Sequence, residues 1–234
     1  MTALLLALML ATPVPTVHDA PSAEMPVALS FSGRFAPDGA VTTIEIDRAS
    51  GDRAPRPVAR ILTDDCRSKS QTLDFDVMER PLAILDLDGD GRDEIILLEG
   101  GNTVYNAVVA RIDGCRLVVL EKSDDPHDPT LSFHGHSNCC PDSGVGVLCR
   151  RTADGRIEIV TTGHESWSSW DDSTPDAPVL RARTEVAWTR TVYAVRGRQL
   201  VVTSKDAGTT KIHDDPSVPL LNRLDCLGVV YPPE

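Results

Sequence analysis

The chain is short of lysine and aromatic rings, and it lacks long apolar runs and helical stripes. Four lysines, Lys69, Lys122, Lys205 and Lys211, occur in 234 residues, and the formal net charge is −12. With no basic stripe to neutralise phosphates, nucleic acid is excluded as the expected partner. The same charge disfavours anionic membrane surfaces. The apolar run Ala3–Ala11 is far shorter than the roughly 20 residues of a spanning helix, and no later segment is longer, so membrane insertion is not expected. No stretch of a dozen residues carries apolar side chains at i, i+3 and i+4 free of glycine and proline. A Gly-x-Ser-x-Gly elbow, a P-loop and a His-Glu-x-x-His helix are absent, so no catalytic motif is present and the reading favours a protein that is not an enzyme. Asn-x-Ser/Thr is also absent, so glycosylation gives no sign of compartment.

What remains bounds the class. At 41% hydrophobic and 25% charged, the chain can bury a core and is not a disordered polymer. Ala3–Ala11 has the length of a signal-peptide core, with Ala11 or Ala20 as the cleavage site. Residues 1–20 read as a signal peptide, 21–26 as a linker and 27–234 as one domain. The expected location is extracellular or periplasmic. Six cysteines, Cys66, Cys115, Cys139, Cys140, Cys149 and Cys226, suit an oxidising compartment and suggest three disulfides. Cys66–Cys115 and Cys140–Cys149 are the expected pairs.

One local pattern repeats from Val27 onward. A β-branched or aromatic run meets a glycine turn, and another such run follows. The turns are Asp38-Gly39, Asp113-Gly114, Asp154-Gly155 and Arg196-Gly197. Such dipeptides supply the positive φ that tight hairpins need. The expected fold is all-β, an antiparallel meander of about 12 short strands, blade-like or a sandwich. Segments 122–142, 164–180 and 204–219 read as long surface loops.

Residues 86–94, Asp-Leu-Asp-Gly-Asp-Gly-Arg-Asp-Glu, place five carboxylates in nine positions. Carboxylates packed this closely repel, and a hard divalent cation relieves the repulsion. With Asp86 as position 1, Asp88 and Asp90 fall at 3 and 5. Gly91 gives the sharp turn, Arg92 offers its carbonyl at 7, and Glu94 closes the shell at 9. Oxygen-rich coordination at this spacing suits Ca²⁺. An EF-hand needs Glu at position 12, where this chain has Leu97. Leu82–Leu85 enters and Ile95–Leu98 leaves, so the loop joins two strands. Asp93 falls off the pattern and is expected to face solvent or to back the ligands.

Asp86-Leu-Asp88-Gly-Asp90-Gly91-Arg-Asp93-Glu94-Ile-Ile resembles the calcium loop of FG-GAP/VCBS repeats, the blade units of integrin-type β-propellers. The resemblance covers roughly residues 80–120, about one blade, and no second copy occurs. It implies side-chain ligands at Asp86, Asp88, Asp90 and Glu94, a carbonyl ligand at Arg92, and a loop between neighbouring antiparallel strands. The function read from these features is an exported calcium-binding module, binding or structural and not catalytic, with Ca²⁺ as cofactor. The alternative is a secreted hydrolase braced by calcium, its active site built from the 122–142 and 164–180 segments. A monomer with a protein or glycan partner is expected.

Two other groupings have plainer explanations. His134, His136, Cys139, Cys140, Cys149 and His164 could hold zinc, but disulfides are the better use of cysteines in an exported chain. Trp167 and Trp170 could stack on a sugar or anchor a partner, or cap a β core. Arg181, Arg183, Trp188 and Arg190 read as a cross-strand cation–π ladder.

Overall fold

The computed structural model describes residues 27–48, 56–75, 77, 81–99, 104–135, 144–164, 168–171, 179–182, 185–211 and 224–231. The proposed signal peptide and linker lie outside them. Among the described residues the fold is all-β, without a helix. The first sheet runs β1 (Val27–Gly33), β2 (Thr42–Arg48), β3 (Val58–Ile61) and β4 (Gln71–Thr72) in sequence order. The second contains β5 (Ala83–Leu85), β6 (Glu94–Glu99), β7 (Val104–Asp113), β8 (Arg116–Val119) and β10 (Leu131–Gly135). The third contains β9 (Glu121–Lys122), β11 (Gly144–Arg151), β12 (Ile157–His164), β15 (Glu185–Arg196), β16 (Gln199–Lys211), β17 (Leu224–Cys226) and β18 (Val229–Tyr231). A separate hairpin pairs β13 (Ser168–Asp171) with β14 (Val179–Ala182). None of the sheets closes into a barrel.

The four turn dipeptides do what their composition requires. They join β1 to β2, β7 to β8, β11 to β12 and β15 to β16, and each turn glycine has positive φ. Between the hairpins, strand alternation places the apolar residues. Ile44, Ile46, Ala59 and Ile61 of the first sheet pack in one cluster with Ile95, Leu97, Val108 and Ala110 of the second. Ile96, Leu98, Ala107 and Val109 point the other way, into a cluster with Val147, Ile157, Ile159, Tyr193 and Leu200 of the third sheet. The second sheet is therefore the middle layer, apolar on both faces. This explains why Ile95–Leu98 reads as a continuous run instead of an alternation.

Three expectations need correction. The described residues hold 18 strands, not about 12. The extra ones fall largely in the segments expected as loops: β9 and β10 in 122–142 and its approach, β13 and β14 in 164–180, and the far half of β16 in 204–219. Backbone pairing does not need the apolar alternation by which a strand is read from sequence. The meander is also incomplete, because β11 pairs with β17, and β16 with β9, in parallel. The first of these pairings decides a disulfide. It sets Cys149 opposite Cys226 with Cα atoms 4.4 Å apart, and the two are bonded. The expected Cys140–Cys149 pair is thereby overturned; Cys139 and Cys140 lie outside the described residues. Cys66–Cys115 forms as expected and ties the segment after β3 to the β7–β8 turn. Two disulfides suit an oxidising compartment, extracellular or periplasmic.

The double burial of the middle sheet sets the cost of changing it. Leu97 is fully buried, whereas Val41 is 72% exposed. Leu97→Ala should cost about 2–5 kcal/mol in urea denaturation, and Val41→Ala under about 0.5 kcal/mol. A non-reducing peptide map should recover Cys149 joined to Cys226.

Candidate metal site at the junction of three sheets

The loop between β5 and β6 is wound by its own carboxylates. Asp86 accepts hydrogen bonds from the amides of Gly89 at 2.8 Å and Gly91 at 3.0 Å. Asp88 accepts one from the Asp90 amide at 3.1 Å, and Asp90 one from the Arg92 amide at 2.8 Å. Gly89 and Gly91 have φ of 77° and 88°, a region costly for other L-residues. Each turn thus brings the next acid back toward the same centre.

One carboxylate oxygen from each of Asp86, Asp88 and Glu94 lies within 4.8 Å of the other two. Calcium–oxygen bonds of about 2.3–2.6 Å allow ligand oxygens across one ion to be about 5 Å apart, so this grouping is ion-sized. Glu94 is the least ordinary member. Its side chain has no solvent exposure. Its Oε2 accepts from the Leu87 amide at 2.9 Å, while Oε1 receives no hydrogen bond. Burial pushes the Glu94 carboxyl up to about 7; the Leu87 amide opposes that shift and the Asp88 charge adds to it. Asp88 is likewise raised, by burial first and by the neighbouring Asp90 and Asp86 charges, against the Asp90 amide and Arg111.

The structure separates the other predicted residues from this trio. Asp90 is turned toward cations: its Oδ2 meets Arg92 Nη2 at 2.6 Å and Arg111 Nη2 at 3.3 Å. Burial works against its ionisation, but the bonds from the Arg92 side chain and amide prevail and hold Asp90 below the usual range. Asp93, expected to face solvent or to back the ligands, is buried and bonded to Arg34, and it is not part of the trio. It takes the Arg34 amide at 2.7 Å and Arg34 Nη2 at 2.9 Å, and returns its own amide to the Arg34 carbonyl at 2.9 Å.

Two further groups reach the loop without any warning from the motif. Arg111 of β7 is 6% exposed. Its Nη1 lies 3.7 Å from both Asp88 Oδ2 and Glu94 Oε1, and donates to the Gly197 carbonyl at 2.8 Å. The Ile157 amide at the start of β12 donates to the Leu87 carbonyl at 3.1 Å. The loop is therefore fastened to all three sheets: through Asp93 to the segment after β1, through Arg111 to β7, and through Gly197 and Ile157 to the third sheet. The signal for Arg111 is alternation, because it continues the Ala107, Val109 face into the core between the second and third sheets.

The remaining groupings fare differently. The side chain of His134, and all of His136, Cys139 and Cys140, lie outside the described residues, and Cys149 is spent in a disulfide, so it is not a metal ligand. Trp167 and the Trp170 side chain also lie outside. Trp188 packs on Gly208, where an added Cβ would come within 3.0 Å of the ring. The Arg190 guanidinium sits 5.9 Å from the Trp188 ring centroid and bonds Asp206. Arg181 is off that ladder, opposite Ser169 in the β13–β14 hairpin, and Arg183 lies outside the described residues. A cleft of about 600 Å³ is lined by Asp74, Glu99, Arg116, His127, Asp128 and Thr130 among others, with no residue of the 86–94 loop. Among the described residues no helix is long and apolar enough to cross a membrane. Comparison with protein-family models, with curated proteins and with solved structures finds no match.

The raised Glu94 carboxyl predicts a pH dependence with a definite sign. A folded-state value above the unfolded one means that Glu94 favours the fold when protonated. Its contribution is complete below the ordinary glutamate range, near 4.5, and is lost as pH rises through about 7. In calcium-free buffer the cost of ionising it should reach about 3 kcal/mol by pH 8. Glu94→Gln should flatten that part of the pH profile between 5 and 8, measured by urea denaturation.

Proposed function

We propose that this chain is an exported calcium-binding protein acting as a non-catalytic structural or binding module, its ion held by the 86–94 loop. The observation that carries this reading is the buried Glu94 Oε1. It receives no hydrogen bond and has only the Arg111 guanidinium, 3.7 Å away, as a charged neighbour, and a Glu94 carboxylate oxygen lies within 4.8 Å of one from each of Asp86 and Asp88. A buried carboxylate left in that condition is costly, and a hard cation is the partner that oxygen ligands of this number suit. Asp86, Asp88 and Glu94 form the nucleus of the site. Asp90 and the Arg92 carbonyl complete the set that the FG-GAP/VCBS resemblance implies, and Asp90 would share its oxygens between the ion and its arginines.

The ion's work in this reading is mechanical. It neutralises the acidic loop from which bonds run to all three sheets. The carboxylates are all committed to loop amides, arginines or the trio, which leaves no general base poised over a substrate. The loop also contributes nothing to the 600 Å³ cleft, so bracing of a hydrolase site there receives no support. Export through residues 1–20 agrees with the disulfides and with the millimolar calcium outside cells.

Thermal unfolding with and without calcium tests the reading. At a dissociation constant on the order of 10⁻⁴ M, millimolar calcium adds about 1.4 kcal/mol of stability. The melting temperature should rise with calcium and fall back on chelation, and Glu94→Gln should abolish the response. An unchanged melt in the wild-type chain would contradict calcium binding.

A further inference from the structure

Arg111 is an unusual neighbour for a cation site. Its side chain is 8% exposed and in ion-pair range of three acids, Asp88, Asp90 and Glu94. Two of those contacts are 3.7 Å, too long for hydrogen bonds. Its short bond is the one to the Gly197 carbonyl, at 2.8 Å, in the β15–β16 turn. The guanidinium is therefore anchored from the third sheet and stands beside the carboxylates as a fixed charge. Asp86 has no ion pair with it among the described contacts.

Resting on the calcium reading above, we propose that Arg111 sets the strength and charge preference of the site as a permanent counter-charge that stays in place when the ion binds. The charges support this. Asp86, Asp88, Asp90 and Glu94 bring four negative charges, and Arg92 and Arg111 bring two positive ones. The remainder, two negative charges, matches one divalent ion. Arg92 is partly exposed and, among the described residues, bonds Asp90, whereas Arg111 is buried against the acids, where screening is weak. Arg111 thus opposes the incoming ion directly. It keeps the site weak, in the range filled by extracellular calcium, and it stabilises the acidic loop when calcium is scarce. It is a specificity-determining residue and not a ligand, because guanidinium has no lone pair to offer.

Calcium titration by calorimetry on wild type, Arg111→Gln and Arg111→Lys is the test. Gln retains a donor for the Gly197 carbonyl without the charge, and Lys retains the charge. Arg111→Gln should bind calcium at least tenfold more tightly than wild type and should melt lower in calcium-free buffer. Arg111→Lys should stay within about threefold of wild type. Should the Gln variant fold only with metal, the ratio of terbium to calcium affinity decides, because any coupled folding cost cancels from it. That ratio should rise at least tenfold, since a more negative site favours the trivalent ion. Equal or weaker calcium binding by a folded Gln variant, or an unchanged ratio, would overturn the inference while leaving calcium binding intact. A wild-type chain that binds no calcium would instead overturn the reading on which it rests.

Discussion

A carboxylate sealed from water, with one oxygen supplied by a single amide and the other by no donor, is the interaction around which this structure is arranged. Glu94 opens β6, the strand buried on both faces between the first and third sheets. It cannot swing out to solvent without disturbing the apolar run that follows it. Its charge must therefore be met in place, by a proton, by Arg111 or by an ion. The loop before it is wound so that Asp86 and Asp88 converge on the same spot. Their convergence worsens the repulsion, which a hard cation would relieve.

The consequence of this arrangement reaches beyond the loop. The three sheets share two apolar clusters, and apolar packing is not directional. Polar fastenings supply direction: Asp93 with Arg34, Leu87 with Ile157, and Arg111 with Gly197. All three radiate from residues in or beside the loop. A cation at the loop would thus stiffen the register of three layers through one small segment. The net charge of −12 suits that role, since a negative chain attracts cations.

Much of this was legible in the sequence, and the limits have physical causes. The hairpins could be read because glycine at positive φ is a local requirement, visible at Asp113-Gly114 as at Arg196-Gly197. The clustering of acids in the β5–β6 loop could be read because they fall within nine positions of sequence, and Leu97 was enough to set aside an EF-hand. The Cys149–Cys226 bridge could not be read, because it depends on β17 lying parallel to β11 across 77 residues of sequence separation. The far half of β16 was hidden for a related reason: around Ser204–Ala207 it is exposed and carries no apolar alternation. Arg111 and Asp93 were missed because a charged residue at a strand or loop position ordinarily faces water. Only the depth of the middle sheet, which is a property of three layers and not of any one strand, makes those two residues internal.

Hydrogen exchange resolved to single amides, with and without calcium, tests the keystone role of the loop most directly. Protection should rise together at Asp93, whose amide bonds the Arg34 carbonyl, and at Ile157, whose amide bonds the Leu87 carbonyl. The β15–β16 turn around Gly197 should follow. Protection confined to residues 86–92, with Asp93, Ile157 and the Gly197 turn unchanged, would contradict it.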